Sequence, residues 1–216
     1  MTSTDARGTQ PINQVQQPDE PEPLLVGPDA DVDPTVSVVM PTMNEEEGVA
    51  ECIALVKAAV RHSGYRTEVV ISDDSTDRTP EIAREEGAVV VEPDEPGYGY
   101  AYRYAFERCR GEYIIIGDAD TTYDFEEFPR LLQQVVEGDA DMVMGSRLDG
   151  EIKDGAMPAL HEYVGNPLLT KFLNAFYDAG VSDAHSGFRA FHVDVLEVLD
   201  LETTGMEFAS EMIMDA

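Results

Sequence analysis

The sequence predicts an α/β fold, a mostly parallel sheet with helices on both faces. From Thr35 onward, short β-branched runs alternate with longer stretches of helical period, the order expected of such a sheet. The runs are nearly all apolar, as strands covered on both sides should be. Several end abruptly in Gly, Ser or acid, where a strand passes into a loop.

Thr35 to Met40 reads as the first strand. Glu45 to about His62 follows as a helix, with Val49, Cys52, Ile53, Val56 and Val60 on one face. Glu68 to Ile71 is a strand, Arg78 to Glu86 a helix, Ala88 to Val91 a strand and Tyr100 to Cys109 a helix. Tyr113 to Ile116 is a strand, Phe125 to Val136 a helix and Asp141 to Met144 a strand. The alternation then stops. Leu148 to Pro158 reads as a Gly-rich and acidic loop, long enough for a mobile lid or a disordered segment. A helix from about Leu160 to Tyr177, a short strand at Gly187 to Phe191 and two helical pieces close the chain.

At 216 residues with 43% hydrophobic content, the chain supports one domain, residues 35–216, and a tail. Residues 1–34 are rich in Pro, Gln, Asp and Glu, with Leu24-Leu25-Val26 the only apolar cluster, and are expected to be a disordered or loosely docked acidic tail. The start lacks the basic and apolar regions of a secretory signal, and no later segment has the apolar length to cross a bilayer. A cytoplasmic protein is expected, touching at most the cytoplasmic face of a membrane.

Acidic residues number 44 against 14 basic ones, a formal net charge of -30. That balance argues against nonspecific nucleic-acid binding and against a polybasic membrane anchor. The acids are spread along the chain, which fits a surface solvated in a high-salt cytoplasm and suggests a halophilic source. Cys52 and Cys109 lie in predicted helices with no metal-ligand spacing, as core residues of a reducing compartment would.

Asp118 and Asp120 directly follow the apolar run Tyr113 to Gly117. A buried strand would deliver both carboxylates to its carboxyl end, where open α/β sheets bind ligands. Hard oxygen donors there suit a divalent cation, Mg²⁺ or Mn²⁺, that bridges to phosphates; an acidic loop end is the plainer alternative. Pro41 to Glu45, Ser72 to Ser75 and Gly145 to Arg147 end other strands on the same edge. Asp73 or Asp74 could bind a ribose or base, and Arg147 a phosphate. Each also has a structural reading: Ser75 or Thr76 as a helix cap, Pro41 as a strand terminator and Arg147 as a solvated side chain. Gly97 and Gly99 open a helix whose amino end could face phosphates, or simply turn the chain.

Taken together, Pro41-Thr42-Met43-Asn44-Glu45, Asp73-Asp74-Ser75-Thr76-Asp77, Gly97-Tyr98-Gly99, Gly117-Asp118-Ala119-Asp120, Gly145-Ser146-Arg147 and Ser186-Gly187-Phe188-Arg189 resemble family 2 glycosyltransferases. The closest likeness is to the polyprenol-phosphate (dolichol-phosphate) mannosyl- or glucosyltransferase branch, over Val36 to about Glu211. The resemblance implies a Rossmann-like GT-A fold, a nucleotide-diphosphate sugar donor and a polyprenyl phosphate acceptor. It places Pro41, Glu45, Asp73 and Asp74 at the nucleoside, with Gly97 and Gly99 at the donor. It puts Asp118 and Asp120 on the metal, and Arg147 and Arg189 facing the donor diphosphate and the acceptor phosphate. Asp183 would lie near the acceptor, and His161 and Asn166 at the lipid phosphate. Three features depart from that branch: Thr122 stands where Gln is frequent, Pro96 where Lys is frequent, and the chain stops at Ala216 where relatives usually continue, as a fragment or a minimal catalytic domain would.

The chemistry implied is one in-line displacement at the anomeric carbon, with inversion. An anionic lipid phosphate needs no strong base, whereas a sugar hydroxyl would need one, for which Asp183 is the candidate. Leu168, Leu169, Phe172, Leu173, Phe176 and Tyr177 form either a core stripe or a face receiving a polyprenol chain. Two rivals are weaker. A sugar nucleotidyltransferase should carry a basic Gly-rich loop near the first strand, and a noncatalytic metal-binding module would not need the later Gly-Ser-Arg and Ser-Gly-Phe-Arg elements.

Overall fold

The structure, a computed structural model, describes residues 24–138, 140–145 and 186–214. A six-stranded sheet forms its centre, in the order β3-β2-β1-β4-β6-β5. The strands are β1 (Val36–Thr42), β2 (Thr67–Asp73), β3 (Val89–Val91), β4 (Tyr113–Ile116), β5 (Met142–Met144) and β6 (Arg189–His192). β1 pairs in parallel with β2 and β4, and β2 with β3. β6 runs antiparallel to both β4 and β5, so it is the reversed strand of an otherwise parallel sheet.

The helices are α1 (Val49–Ser63), α2 (Thr79–Glu85), α3 (Tyr98–Phe106), α4 (Phe128–Val136), α5 (Val195–Val198) and α6 (Phe208–Met214). The predicted helix at Leu160 to Tyr177 and loop at Leu148 to Pro158 lie outside the described residues.

Strand alternation divides the core in two. Val36, Val38, Met40, Val69, Ile71 and Ile115 face one side, under apolar residues of α1, α2 and α4. Val39, Val70, Ile114, Ile116 and Phe191 face the other, under Tyr102, Ala105 and Phe106 of α3 and Phe208 and Met212 of α6. Full burial of such side chains stabilises by roughly 1.5–3 kcal/mol each.

Several boundaries differ from expectation for identifiable reasons. Phe125–Glu127 forms a 3₁₀ turn and the α-helix starts at Phe128. Pro129 has no N–H to donate, so it is tolerated only in the first turn. α3 starts at Tyr98, two residues early, because the Thr204 carbonyl receives the N–H groups of Gly99 and Tyr100. Within the expected tail, Leu24–Val26 is docked: Leu25 bridges Thr67 in parallel, the Thr67 N–H donates to the Leu24 carbonyl, and Val26 is buried.

A polar knot closes the sheet edge that carries the amino ends of β1 and β4. The buried Glu68 carboxylate accepts from Ser37 Oγ at 2.7 Å, and from Arg110 N and Nε at 2.8 Å each. Both cysteines are free, Cys52 buried and Cys109 partly buried, and burial pushes the Cys52 thiol up to about 11 and the Cys109 thiol up to about 12.

Candidate functional site

The carboxyl edge of the parallel strands gathers the acidic residues. β1 and β2 stay in register to Thr42 and Asp73, but β1 and β4 separate after Val39 and Ile116. The sheet therefore opens between β1 and β4, with Thr42 to Glu45 on one side and Gly117 to Asp120 on the other. Pro41 does not end its strand: it pairs with Ser72, and β1 runs one residue further.

The loops after β1 and β2 are stapled together. Asn44, in the left-handed region at φ 64, donates its N–H to Ser75 Oγ at 2.8 Å and accepts the Thr76 N–H on Oδ1 at 2.9 Å. The Glu45 N–H donates to Thr79 Oγ1 at 2.9 Å. The N-cap of α2 is Arg78, in place of the expected Ser75 or Thr76, and Asp77 just before it accepts the Thr79 N–H at 2.9 Å.

Asp73 and Asp74 are placed in different ways. Asp73 is buried, and its Oδ1 accepts the Thr42 and Ser75 hydroxyls, both at 2.6 Å. Its carboxylate orders the loops, while that of Asp74 is exposed beside them.

Asp118 and Asp120 follow β4 as expected. Tyr98 Oη donates to Asp118 Oδ1 at 2.8 Å, from across the opening. Asp120 is exposed, and its Oδ1 accepts the Thr122 N–H at 2.9 Å across Thr121, which sits at φ 63. Gly48, just before α1, lies so close that an added Cβ would be 2.9 Å from the Ala119 carbonyl oxygen. The amino end of α1 thus adjoins the aspartate loop, where its dipole favours negative charge. The Glu45 carboxyl is raised by partial burial and then by Asp120, Asp118 and Asp77, so three loops concentrate negative charge here.

Among the described residues no three His, Cys, Asp or Glu side chains form a metal cage. Two strand-end carboxylates beside a charge-stressed Glu45 suit a cation that keeps water and takes further oxygens from a phosphorylated ligand, as Mg²⁺ and Mn²⁺ do.

The reversal of β6 brings its start to this edge. The Gly187 N–H donates to Tyr123 Oη at 2.7 Å, and the Tyr123 ring stacks on Phe188 at 5.6 Å. An added Cβ at Gly187 would stand 3.4 Å from Asp118 Oδ2.

Two placements bear on the expectations. Arg189 is fully buried, donating from Nη2 to the Ala209 carbonyl at 2.7 Å and from Nε to the Ser186 carbonyl at 3.2 Å. Its register opposite Ile116 turns it to the α3 and α6 face, where burial lowers its pKa while Tyr98, Tyr102, Tyr123 and Asp118 oppose that shift. Gly97 and Gly99 admit a second stretch of backbone at the amino end of α3. Added Cβ atoms would lie 2.3 Å from the Thr204 carbonyl oxygen and 2.7 Å from that of Thr203, so the close approach is to the chain itself.

Arg147, His161, Asn166 and Asp183 lie outside the described residues. Sequence reasoning missed the roles of Tyr98, Tyr123 and Asn44. A tyrosine between two helix-opening glycines was the available signal for Tyr98, and an aromatic just past the acidic pair for Tyr123.

Comparison with known proteins identifies the family. The family described as glycosyl transferase family 2 matches residues 37–200. The low-salt glycan biosynthesis hexosyltransferase Agl6 of Haloferax volcanii is 67% identical over 89% of this chain, and the match spans 47% of that relative. The dolichyl-phosphate hexose transferase of the same organism is 36% identical, over 79% of this chain and 72% of its own length. The dolichol-phosphate mannosyltransferase of Pyrococcus furiosus is 29% identical, over 83% of this chain and 52% of its length. The chain thus spans about half the length of some of its relatives. Among solved structures, glucosyl-3-phosphoglycerate synthase from Mycobacterium tuberculosis superposes with a TM-score of 0.65 at 24% identity, covering 84% of this chain and 65% of that one, which shows a common fold. The same enzyme solved with Mn²⁺, uridine diphosphate and glucosyl-3-phosphoglycerate gives a TM-score of 0.62, over 84% of this chain and 64% of that one.

Proposed function

The chain belongs to glycosyl transferase family 2, and on that premise we propose that it transfers a hexose from a nucleotide-diphosphate sugar to a polyprenyl phosphate. The observation that carries the reading is the carboxyl sheet edge, where Asp118 and Asp120 face the loop of Glu45 across the opening between β1 and β4. The names of the dolichyl-phosphate relatives support the acceptor class, and the Agl6 name supports the hexose.

A bound Mg²⁺ or Mn²⁺ would supply charge neutralisation for the leaving diphosphate. Asp118 and Asp120 would hold it. Pro41, Glu45 and Asp74 border the space for the nucleoside, with Asp73 and Asn44 fixing their loops. Arg147 is proposed for the diphosphate, and His161 and Asn166 for the lipid phosphate. In the reaction, a phosphate oxygen of the acceptor forms a bond to the anomeric carbon as the bond from that carbon to the donor's diphosphate breaks. One displacement inverts the anomeric centre, and the nucleoside diphosphate leaves with the bonding electrons. The acceptor oxygen is already anionic, so Asp183 need take no proton. Among the described residues no helix is long and apolar enough to cross a membrane, and the proposed lipid acceptor implies contact with a membrane surface. The word glycan in the Agl6 name favours a second reading, transfer to a sugar hydroxyl with Asp183 as base.

The test is incubation with a panel of nucleotide sugars, Mg²⁺ or Mn²⁺, and either polyprenyl phosphate or saccharide acceptors. Glycosylated polyprenyl phosphate is the expected product, lost in Asp120→Ala. Undiminished activity in Asp120→Ala would remove the metal role, and transfer to saccharides alone would replace the first reading by the second.

A further inference from the structure

We propose that Tyr98 is a positioning residue: its hydroxyl fixes the Asp118 carboxylate and so sets the cation affinity of the strand-end pair. The inference rests on the reading of Asp118 and Asp120 as cation ligands. Tyr98 Oη donates to Asp118 Oδ1 at 2.8 Å.

The donor is itself held rigidly. Its ring packs edge-on against Tyr102 at 5.1 Å and Phe208 at 6.4 Å. Its backbone is gripped on the C-terminal side, where the N–H groups of Gly99 and Tyr100 meet the Thr204 carbonyl at 2.9 and 3.2 Å. The loop that supplies this carbonyl is pinned in turn by Glu211, which accepts the Glu202 and Thr203 N–H groups at 3.0 and 3.1 Å.

The same carboxylate is confined from β6. A Cβ at Gly187 would lie 3.4 Å from Asp118 Oδ2, 3.4 Å from Tyr98 Oη and 3.1 Å from Tyr123 Oη. Asp118 is therefore held by a hydroxyl donor with Gly187 close to its other oxygen, while exposed Asp120 bonds within its own loop, to the Thr122 N–H. Outer hydrogen bonds that orient a metal-binding carboxylate typically change cation affinity or activity about 10- to 100-fold when removed.

The test uses the whole chain and follows protein-bound Mn²⁺ by electron paramagnetic resonance, with uridine and guanosine diphosphates both present. Tyr98→Phe keeps the ring and removes the donor. Its Mn²⁺ midpoint should rise about 10- to 100-fold while its melting temperature stays near that of the parent. Tyr100→Phe removes, from the same helix, a hydroxyl that bonds Asp94 and not Asp118, and should leave the midpoint unchanged. An unchanged midpoint in Tyr98→Phe, or equal shifts in both variants, overturns the proposal. Asp118→Asn separates its failure from that of the functional reading: if the parent binds no Mn²⁺, or Asp118→Asn binds it as well as the parent, the cation reading has failed and this proposal with it. Should Tyr98→Phe not fold, Tyr98→Met removes the same donor while keeping an apolar side chain against Tyr102 and Phe208, and an unshifted midpoint there overturns the proposal equally.

Discussion

Replacing Gly97 by Ala tests what the glycine turn before α3 is for. Gly97 has φ +134, a conformation unsuited to L side chains, and a Cβ there would lie 2.3 Å from the Thr204 carbonyl oxygen and 3.2 Å from its carbon. Both are main-chain atoms, so no rotamer change relieves the overlap and the loop around Thr204 must retreat. Retreat forfeits the bonds from Gly99 and Tyr100 to that carbonyl, about 1 kcal/mol each, on top of about 1–3 kcal/mol of backbone strain. The loss of roughly 3–5 kcal/mol should lower the melting point of a domain this size by about 6–20 °C. The assay is thermal unfolding of the ligand-free chain in concentrated KCl, followed by circular dichroism. Gly64→Ala is the control: its φ is +75 but nothing lies within 4 Å of the added Cβ, so only the backbone cost of about 1–2 kcal/mol remains. If Gly97→Ala melts with the parent yet no longer binds nucleotide sugars, the glycine serves a ligand and the packing argument is refuted.

Acid should release the clamp beneath α3. Burial alone would raise the Glu211 pKa, but hydrogen bonds from Thr203 and Glu202, with Arg103 nearby, bring it below the usual carboxylate value. A depressed carboxylate contributes stability that is present above its unfolded pKa, about 4.5, and lost as the pH falls through the folded value. Glu211→Gln should therefore destabilise near neutrality and flatten this part of the acid unfolding curve; an unchanged curve would show that the clamp contributes nothing. Salt is the second lever, because a formal charge of -30 repels itself less as the Debye length shrinks from about 8 Å at 0.15 M to about 3 Å at 1 M. Melting temperature should climb with KCl over that range, and a flat profile would count against a halophilic surface. In the polar knot, Glu68→Ala strands the Ser37 hydroxyl and the Arg110 N–H while the half-exposed guanidinium rehydrates, a cost of roughly 1–3 kcal/mol in chemical denaturation. Denaturation matching the parent would make the knot dispensable.

Much of this was legible from local order. Short β-branched runs bounded by turn residues read as buried strands, and Asp118 with Asp120 emerge where one of them stops. The position of Pro41 inside β1 was not legible, because a strand can continue past a proline once its neighbour on one side has diverged, and that divergence is a property of the pairing. The burial of Arg189 was hidden for a similar reason. A Ser-Gly-Phe-Arg segment looks the same whether its strand runs with the sheet or against it, yet register opposite Ile116 sends the guanidinium into the core.

By itself the sequence determined the α/β class, the strand-end acids and the likeness to a glycosyltransferase family, because periodicity and strand termini are encoded by neighbours along the chain. Tertiary structure alone decided which groups answer one another across the cleft: Tyr98 on Asp118, Asn44 on Thr76, Thr204 over Gly97 and Gly99, and Arg189 on Ala209. Those partners lie far apart in the chain, and hydrogen bonds between them depend on strand order, direction and register, which no local segment specifies.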